Sequence, residues 1–222
     1  MEDLQQKAKW VRQTAFEMIV KAGKGHIGGT LSCVEILVAL YYEIMKPQDK
    51  FILSKGHACA ALYANLADKG YFPLEELETF NQEGSRLEGH PNIKIPGVIA
   101  TTGSLGHGLG IGCGLALASK NSNVYVLLGD GECNEGSVWE SALFAGEHKL
   151  NNLIAIVDNN GLMTLRNVYY SISDLFFDCG WDVEVIDGHN FESIEEYIEV
   201  EFNRPKALIA HTIKGKGISF ME

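Results

Sequence analysis

The sequence has no run of eighteen apolar residues, so no segment of it reads as a membrane-spanning helix. Cations are scarce: 18 Lys and Arg stand against 29 Asp and Glu, for a net charge of −11. Sequence-independent binding to nucleic acid needs clustered Lys and Arg, and this balance argues against it. The five cysteines (33, 59, 113, 133 and 179) include no C-x-x-C pair. That pattern argues against zinc and disulfides and for thiols in a reducing cytoplasm. Met1-Glu2-Asp3 opens an acidic, amphipathic stretch rather than a basic region before an apolar core, so no signal peptide is expected. There is no internal repeat, no low-complexity tract and no convincing linker. Residues 1–222 are therefore expected to form a single domain, large enough to bury a substantial core.

What the chain does contain is alternation. Leu4, Ala8, Val11, Ala15, Met18 and Ala22 fall at helical spacing and end at Gly23, a C-terminal stop. Ser32-Cys33-Val34-Glu35 has capping-box spacing and predicts a second helix through about Met45. A third is predicted from about Ala58 to Lys69, stopping at Gly70, with Pro73 placed for a first helical turn. Strand patterns lie near Phe51, Val98, Val124, Leu153, Val183 and Leu208, with helical patterns between most of them. Such a succession predicts an α/β fold, a parallel sheet with helices on both faces.

Gly129-Asp130-Gly131 follows the strand pattern Val124 to Leu128, and Asn159-Asn160 follows the strand pattern Leu153 to Val157. Ser137 to Leu150 reads as the helix between them. A strand–helix–strand unit of this length is a parallel crossover, which ends both strands on one side of the sheet. Asp130 and Asn160 then share a crevice. An acid and an amide oxygen there suit a hard divalent cation holding a phosphate ester. Taken alone, Gly-Asp-Gly is a tight turn and Asn-Asn is unremarkable in a loop; the frame between them distinguishes the pair.

These residues resemble the thiamine diphosphate signature. Lys24-Gly25-His26-Ile27-Gly28-Gly29, Leu53-Ser54-Lys55-Gly56-His57, Gly89-His90-Pro91 and Thr101-Thr102-Gly103-Ser104-Leu105-Gly106 narrow the match. In that order they resemble the first domain of transketolase, from roughly Gly25 to Gly217, and above all the split transketolases in which this domain is a separate subunit. The resemblance implies a thiamine diphosphate-binding, Rossmann-like three-layer domain that transfers a two-carbon ketol unit between sugar phosphates. It implies Mg2+, or Ca2+ or Mn2+ in its place, held by Asp130, Asn160 and the carbonyl of Leu162 with two diphosphate oxygens and a water. The implied cofactor contacts are His57, Gly103, Ser104, Leu105, Asp130, Gly131, Glu132 and Asn160. His26, His90 and His57 are the implied catalytic histidines: His57 on the diphosphate, the other two facing the substrate.

Five of the seven histidines follow a glycine directly (His26, His57, His90, His107 and His189). A lone Gly-His is an ordinary loop feature; the flanking motifs single out the first, second and third. His107 stands where the family often has glutamine and is assigned only a possible polar contact. His189 is expected to cap a turn, His148 to sit on a helix surface, and His211 near the site. Glu135 reads either as a helix-start glutamate favoured by the macrodipole or, by the resemblance, as part of a carboxylate network between two active sites. Gly23-Lys24-Gly25-His26-Ile27-Gly28 matches the dinucleotide fingerprint G-x-G-x-x-G, but a helix precedes it where a strand is required. Gly106, Gly108, Gly110, Gly112 and Gly114 alternate where a helix is expected, each costing about 0.5–1 kcal/mol against alanine. A ligand at the start and tight packing further along are the expected compensations.

The resemblance also implies parts not found here. The family's glutamate for the aminopyrimidine comes from a second, pyrimidine-binding domain, and a further histidine follows the Lys214–Gly217 region. A partner subunit carrying that domain, self-association into a pair of heterodimers and sugar-phosphate substrates are therefore expected. The loops 46–50, 120–123 and 165–173 look short beside the family pattern. Other readings are a different thiamine diphosphate enzyme, such as a 2-oxo acid dehydrogenase first component or a deoxyxylulose phosphate synthase, or a non-catalytic assembly module.

Overall fold

The computed structural model describes residues 2–162, 171–200 and 203–222. Among them run five parallel strands: β1 (Lys50–Leu53), β2 (Val124–Gly129), β3 (Leu153–Asn159), β4 (Asp182–Asp187) and β5 (Lys206–His211), in the spatial order β1-β2-β3-β5-β4. The helices are α1 (Glu2–Ala22), α2 (Ile27–Leu31), α3 (Val34–Ala39), α4 (Cys59–Asp68), α5 (His107–Ala118), α6 (Gly136–Glu147), α7 (Ile172–Asp178) and α8 (Phe191–Glu199), with shorter turns between some of them.

Side chains alternate across the central strands as a sheet covered on both faces requires. Tyr125, Leu127, Ile154, Ile156 and Leu208 join α1, α3, α4 and α8 in one core. Val124, Val126, Ala155, Val157 and Ile209 join α5, α6 and α7 in the other. Right-handed crossovers explain the sorting. The β1–β2, β2–β3 and β3–β4 connections step the same way along the sheet, and α5, α6 and α7 lie on one face. The β4–β5 step runs backwards, so α8 lies on the other. The edge strand β4 carries Asp182, Glu184 and Asp187 and is only partly buried, which discourages pairing with another chain.

The helix expected from Leu4, the crossover around Asp130 and the five remaining strand positions agree with the fold. The strand expected near Val98 does not form. Pro96-Gly97 turns the chain there, with Gly97 at φ +87°. Ile95 and Val98 bond locally to the carbonyls of Asn92 and Ile95 rather than to a ladder. The capping box at Ser32 also fails: Cys33 precedes α3, and the Ser32 hydroxyl turns inward to Asp158 at 2.6 Å. The predicted helix end at Leu150 comes earlier because Lys149 takes a left-handed φ of 48°. Most of the 165–173 loop lies outside the described residues.

Close packing accounts for two of the alternating glycines. A Cβ on Gly108 would stand 2.2 Å from the Ser54 hydroxyl, and one on Gly112 2.6 Å from Val126. These positions let α5 lie directly on the end of β1 and on β2. Nothing in the structure explains Gly114, which faces open space.

Candidate functional site

The strands β1, β2, β3 and β5 all finish on one edge, and the residues just past them surround a cavity of about 530 Å³. Asp130 and Gly131 follow β2, Asn160 and Leu162 follow β3, and Lys55 and His57 follow β1. The α1–α2 connection adds His26, and the long loop before α5 adds His90, Gly103 and Leu105. Glu132 and Glu135, beside α6, and Lys214, beyond β5, complete the wall. Ser104 is exposed and does not line the cavity, although both its neighbours do. Neither His107 nor His211 lines it.

Asp130 is 4% exposed. Its Oδ1 accepts the Gly131 N–H at 2.7 Å and its Oδ2 accepts the Gly161 N–H at 2.8 Å. Burial nevertheless pushes its carboxyl above the ordinary range, with the Asp158 charge adding to the effect. A cation on the cavity side would relieve that burden. The Asn160 side-chain oxygen accepts from Leu162 N at 3.2 Å, and the Leu162 carbonyl accepts from Lys214 Nζ at 3.0 Å. The carboxylate, amide and carbonyl oxygens form an all-oxygen set without thiol or imidazole, the donor chemistry a hard divalent cation takes.

Glu132 is 2% exposed and its carboxylate is committed to the protein. One oxygen accepts from Ser54 Oγ at 2.5 Å and Gly106 N at 2.8 Å, the other from Gly129 N at 3.1 Å. It thus ties β1, the start of α5 and β2 together. Burial raises its carboxyl above the ordinary range in spite of these donors.

Two lysines line the cavity, and the sequence reading assigned neither a role. Lys55 is 1% exposed; its ammonium pairs with Asp158 and donates to the Gly29 carbonyl at 2.9 Å. Asp158 is fully buried and also accepts from Ser32 and Thr212. Burial would raise the Asp158 carboxyl, but the Lys55 charge and these hydroxyls hold it below its usual range. Lys55 stands inside the Leu53–His57 motif, so its place was legible even though its partner was not.

The His26 and His57 rings meet edge to face with centroids 5.3 Å apart. Burial first, then the Lys55 charge and the neighbouring His26 and His90, lowers His57 to about 4. At neutral pH it is therefore a neutral ring with one donor and one acceptor. A phosphate anion arriving beside it would favour the imidazolium. Pyrophosphate binding near pH 5 is thus expected to take up a proton, because His57 is neutral above about 4 before binding and charged after it. Calorimetry in two buffers of different ionisation enthalpy measures the uptake; a His57→Asn variant that takes up as much would disprove it.

His189 and Ser32 are corrections to the sequence reading. His189 does not cap a turn but bridges Glu35 and the amide of Ile213. His148 is exposed at the end of α6, as expected, and stacks on Phe144. Gly23–Gly28 joins two helices, so the dinucleotide fingerprint there lacks its strand. All five cysteines are free.

Known proteins share this arrangement. The family model for the transketolase thiamine diphosphate-binding domain matches residues 4–221. One of the two subunits of an apulose-4-phosphate transketolase from Phocaeicola vulgatus is 42% identical, over 100% of this chain and 86% of that protein. The 6-deoxy-6-sulfo-D-fructose transketolase subunit SqwG from a Clostridium species is 41% identical, over 99% and 88%. The crystal structure of transketolase from Campylobacter jejuni superposes with a TM-score of 0.93 at 33% identity. That match covers 98% of this chain but 38% of the solved one.

Proposed function

The chain belongs to the transketolase family, as its thiamine diphosphate-binding domain, and we propose that it is the diphosphate-side subunit of a split transketolase. Bound at the carboxyl edge of the sheet, thiamine diphosphate would supply the nucleophilic thiazolium carbon that carries a two-carbon ketol unit from a ketose phosphate to an aldose phosphate. The observation that carries this reading is the convergence of Asp130, Asn160 and the Leu162 carbonyl on one cavity with His57 and Lys214.

In this reading Asp130, Asn160 and the Leu162 carbonyl hold Mg2+, and the ion with neutral His57 and Lys214 receives the diphosphate. Gly103, Leu105 and Gly131 give the cofactor backbone donors and an apolar edge, with Ser104 an outer contact. Glu132 acts by fixing Gly106 and Gly129 rather than by touching the cofactor with its carboxylate. His26 and His90, both exposed at the rim, donate and accept protons at the hydroxyl and carbonyl oxygens of the sugar.

A partner subunit carrying the pyrimidine-binding domain completes the site, and two such pairs associate. The relatives named as subunits support this. So does the outer face of α5 and α6, where Ile111, Leu117, Leu143 and Phe144 are 39–58% exposed, an apolar surface that a soluble protein normally covers. Glu135, exposed at the start of α6 beside Gly106, would lie at that interface.

The test is turnover. Purified chain is expected to release no glyceraldehyde phosphate from xylulose phosphate and ribose phosphate, and activity should appear on adding the partner. His26→Ala and His90→Ala in the assembled enzyme should each lower kcat about 10²–10⁴-fold while leaving cofactor affinity near wild type. Robust turnover by the chain alone would refute the split-subunit reading.

A further inference from the structure

His189, in the turn between β4 and α8, does not line the cofactor cavity. Both its ring nitrogens are nevertheless engaged. Nε2 accepts the Ile213 N–H at 2.9 Å, so the ring proton sits on Nδ1 and is donated to Glu35 Oε2 at 2.8 Å. The other Glu35 oxygen accepts from Arg12 at 2.6 Å. Burial would raise the Glu35 carboxyl, but the bonds from His189 and Arg12 outweigh it and hold the group below its usual range. The three side chains are 11–17% exposed, a relay that crosses from α1 through α3 to the carboxyl edge of the sheet.

The amide held by this relay begins the segment that leaves β5. The residue after it, Lys214, points into the cavity and donates to the Leu162 carbonyl at 3.0 Å. Its stem lies on Gly28, where a Cβ would stand 2.9 Å from Lys214 Cγ. Gly215 N then bonds the Gly28 carbonyl at 3.1 Å. At its far end the segment presses on the same Arg12: a Cβ on Gly217 would stand 2.6 Å from Arg12 Cδ. The strap 212–217 thus runs from the sheet edge over the cavity wall, with Arg12, Glu35 and His189 beneath it.

We propose that His189 is a positioning residue: oriented by Glu35 and Arg12, it fixes the strap through Ile213 and so presets the Lys214 ammonium for the diphosphate. The inference rests on the reading that this cavity takes a diphosphate. His189 acts only through the strap, so its removal weakens anion binding by making Lys214 pay an ordering cost at each binding event. The Gln side chain can still accept at the position of Nε2; Phe cannot.

The experiment uses the full chain with Mg2+ and inorganic pyrophosphate or thiamine diphosphate, and three variants: His189→Phe, His189→Gln and Lys214→Met. Hydrogen exchange over 212–217 without ligand should quicken in His189→Phe and stay near wild type in His189→Gln. Calorimetry should give about tenfold weaker binding for His189→Phe, with His189→Gln within a few-fold of wild type. On the Lys214→Met background, His189→Phe should cost nothing further, which a general loss of stability would not reproduce. Full additivity of the two changes, or unchanged binding despite a loosened strap, overturns the proposal. If His189→Phe does not fold, Glu35→Gln tests the same relay by the same readouts. If wild-type chain binds neither ligand while its strap is protected, the diphosphate reading has failed, and with it the purpose assigned to the strap.

Discussion

Asp130→Ala is expected to abolish metal-dependent binding of thiamine diphosphate while leaving the sheet intact. The substitution removes a carboxylate at the cavity floor and also frees the Gly131 and Gly161 amides that it holds at 2.7 and 2.8 Å. Hydrogen bonds to charged groups are worth about 1.5–3 kcal/mol each, and an ion's ligand at least as much. A loss on the order of several kcal/mol, or more than a hundredfold in affinity, follows. Asp130→Asn keeps an acceptor for one amide but lacks the charge, so it should retain the melting temperature better than it retains binding. Calorimetry with and without Mg2+ checks both; wild-type affinity in either variant would sink the assignment.

Lys55→Met is expected to produce the largest loss of stability of any single change at the site. It leaves Asp158 fully buried with only the hydroxyls of Ser32 and Thr212 as partners. Breaking a buried pair on one side typically costs about 3–5 kcal/mol, because the remaining charge is uncompensated. The pH dependence follows from the sign of the shift. In the wild type the Asp158 carboxyl is depressed, so its stabilisation is present above the ordinary carboxylate pKa of about 3.9 and is lost only as pH falls through the lower folded value. Without Lys55 the same carboxyl is a buried group with a raised pKa, and protonation relieves it. The deficit of Lys55→Met should therefore be greatest near pH 7 and shrink on acidification. Denaturation midpoints at pH 7 and 5 measure it; a constant deficit would show that Asp158 is not the group left stranded.

How much of this was legible depended on whether the signal was local. The apolar runs of β2 and β3 and the helix between them specify a parallel crossover, and that alone brings Asp130 and Asn160 to one edge. The motifs around His26, His57 and His90 placed those rings correctly because each lies in a short loop after an element end. Partners distant in sequence were not legible. Ser32 at capping-box spacing looked like a helix start, yet a buried carboxylate 126 residues away competes for its hydroxyl and wins. His189 looked like a turn residue because neither Glu35 nor Ile213 is near it in sequence. The strand assigned near Val98 was an avoidable error, since Pro96-Gly97 carried the turn signal. The role of Glu132 could not be read from Gly-Asp-Gly-Glu, because its three donors come from three separate elements.

The all-parallel sheet sets a timetable for the chain's own making. β1 can join the sheet only by pairing with β2, Lys50 against Val124. At a synthesis rate of about 5–20 residues per second, roughly 4–15 s separate the emergence of the two. During that interval α1, α3 and α4 have one another but no sheet, and Leu37, Tyr63 and Phe51 have yet to acquire their neighbours Tyr125, Leu127 and Ile154. Closing so long a loop is entropically costly and slow compared with helix formation. The helical layer is therefore the platform on which the strands later assemble, and a nascent chain halted before Val124 would carry that apolar platform uncovered.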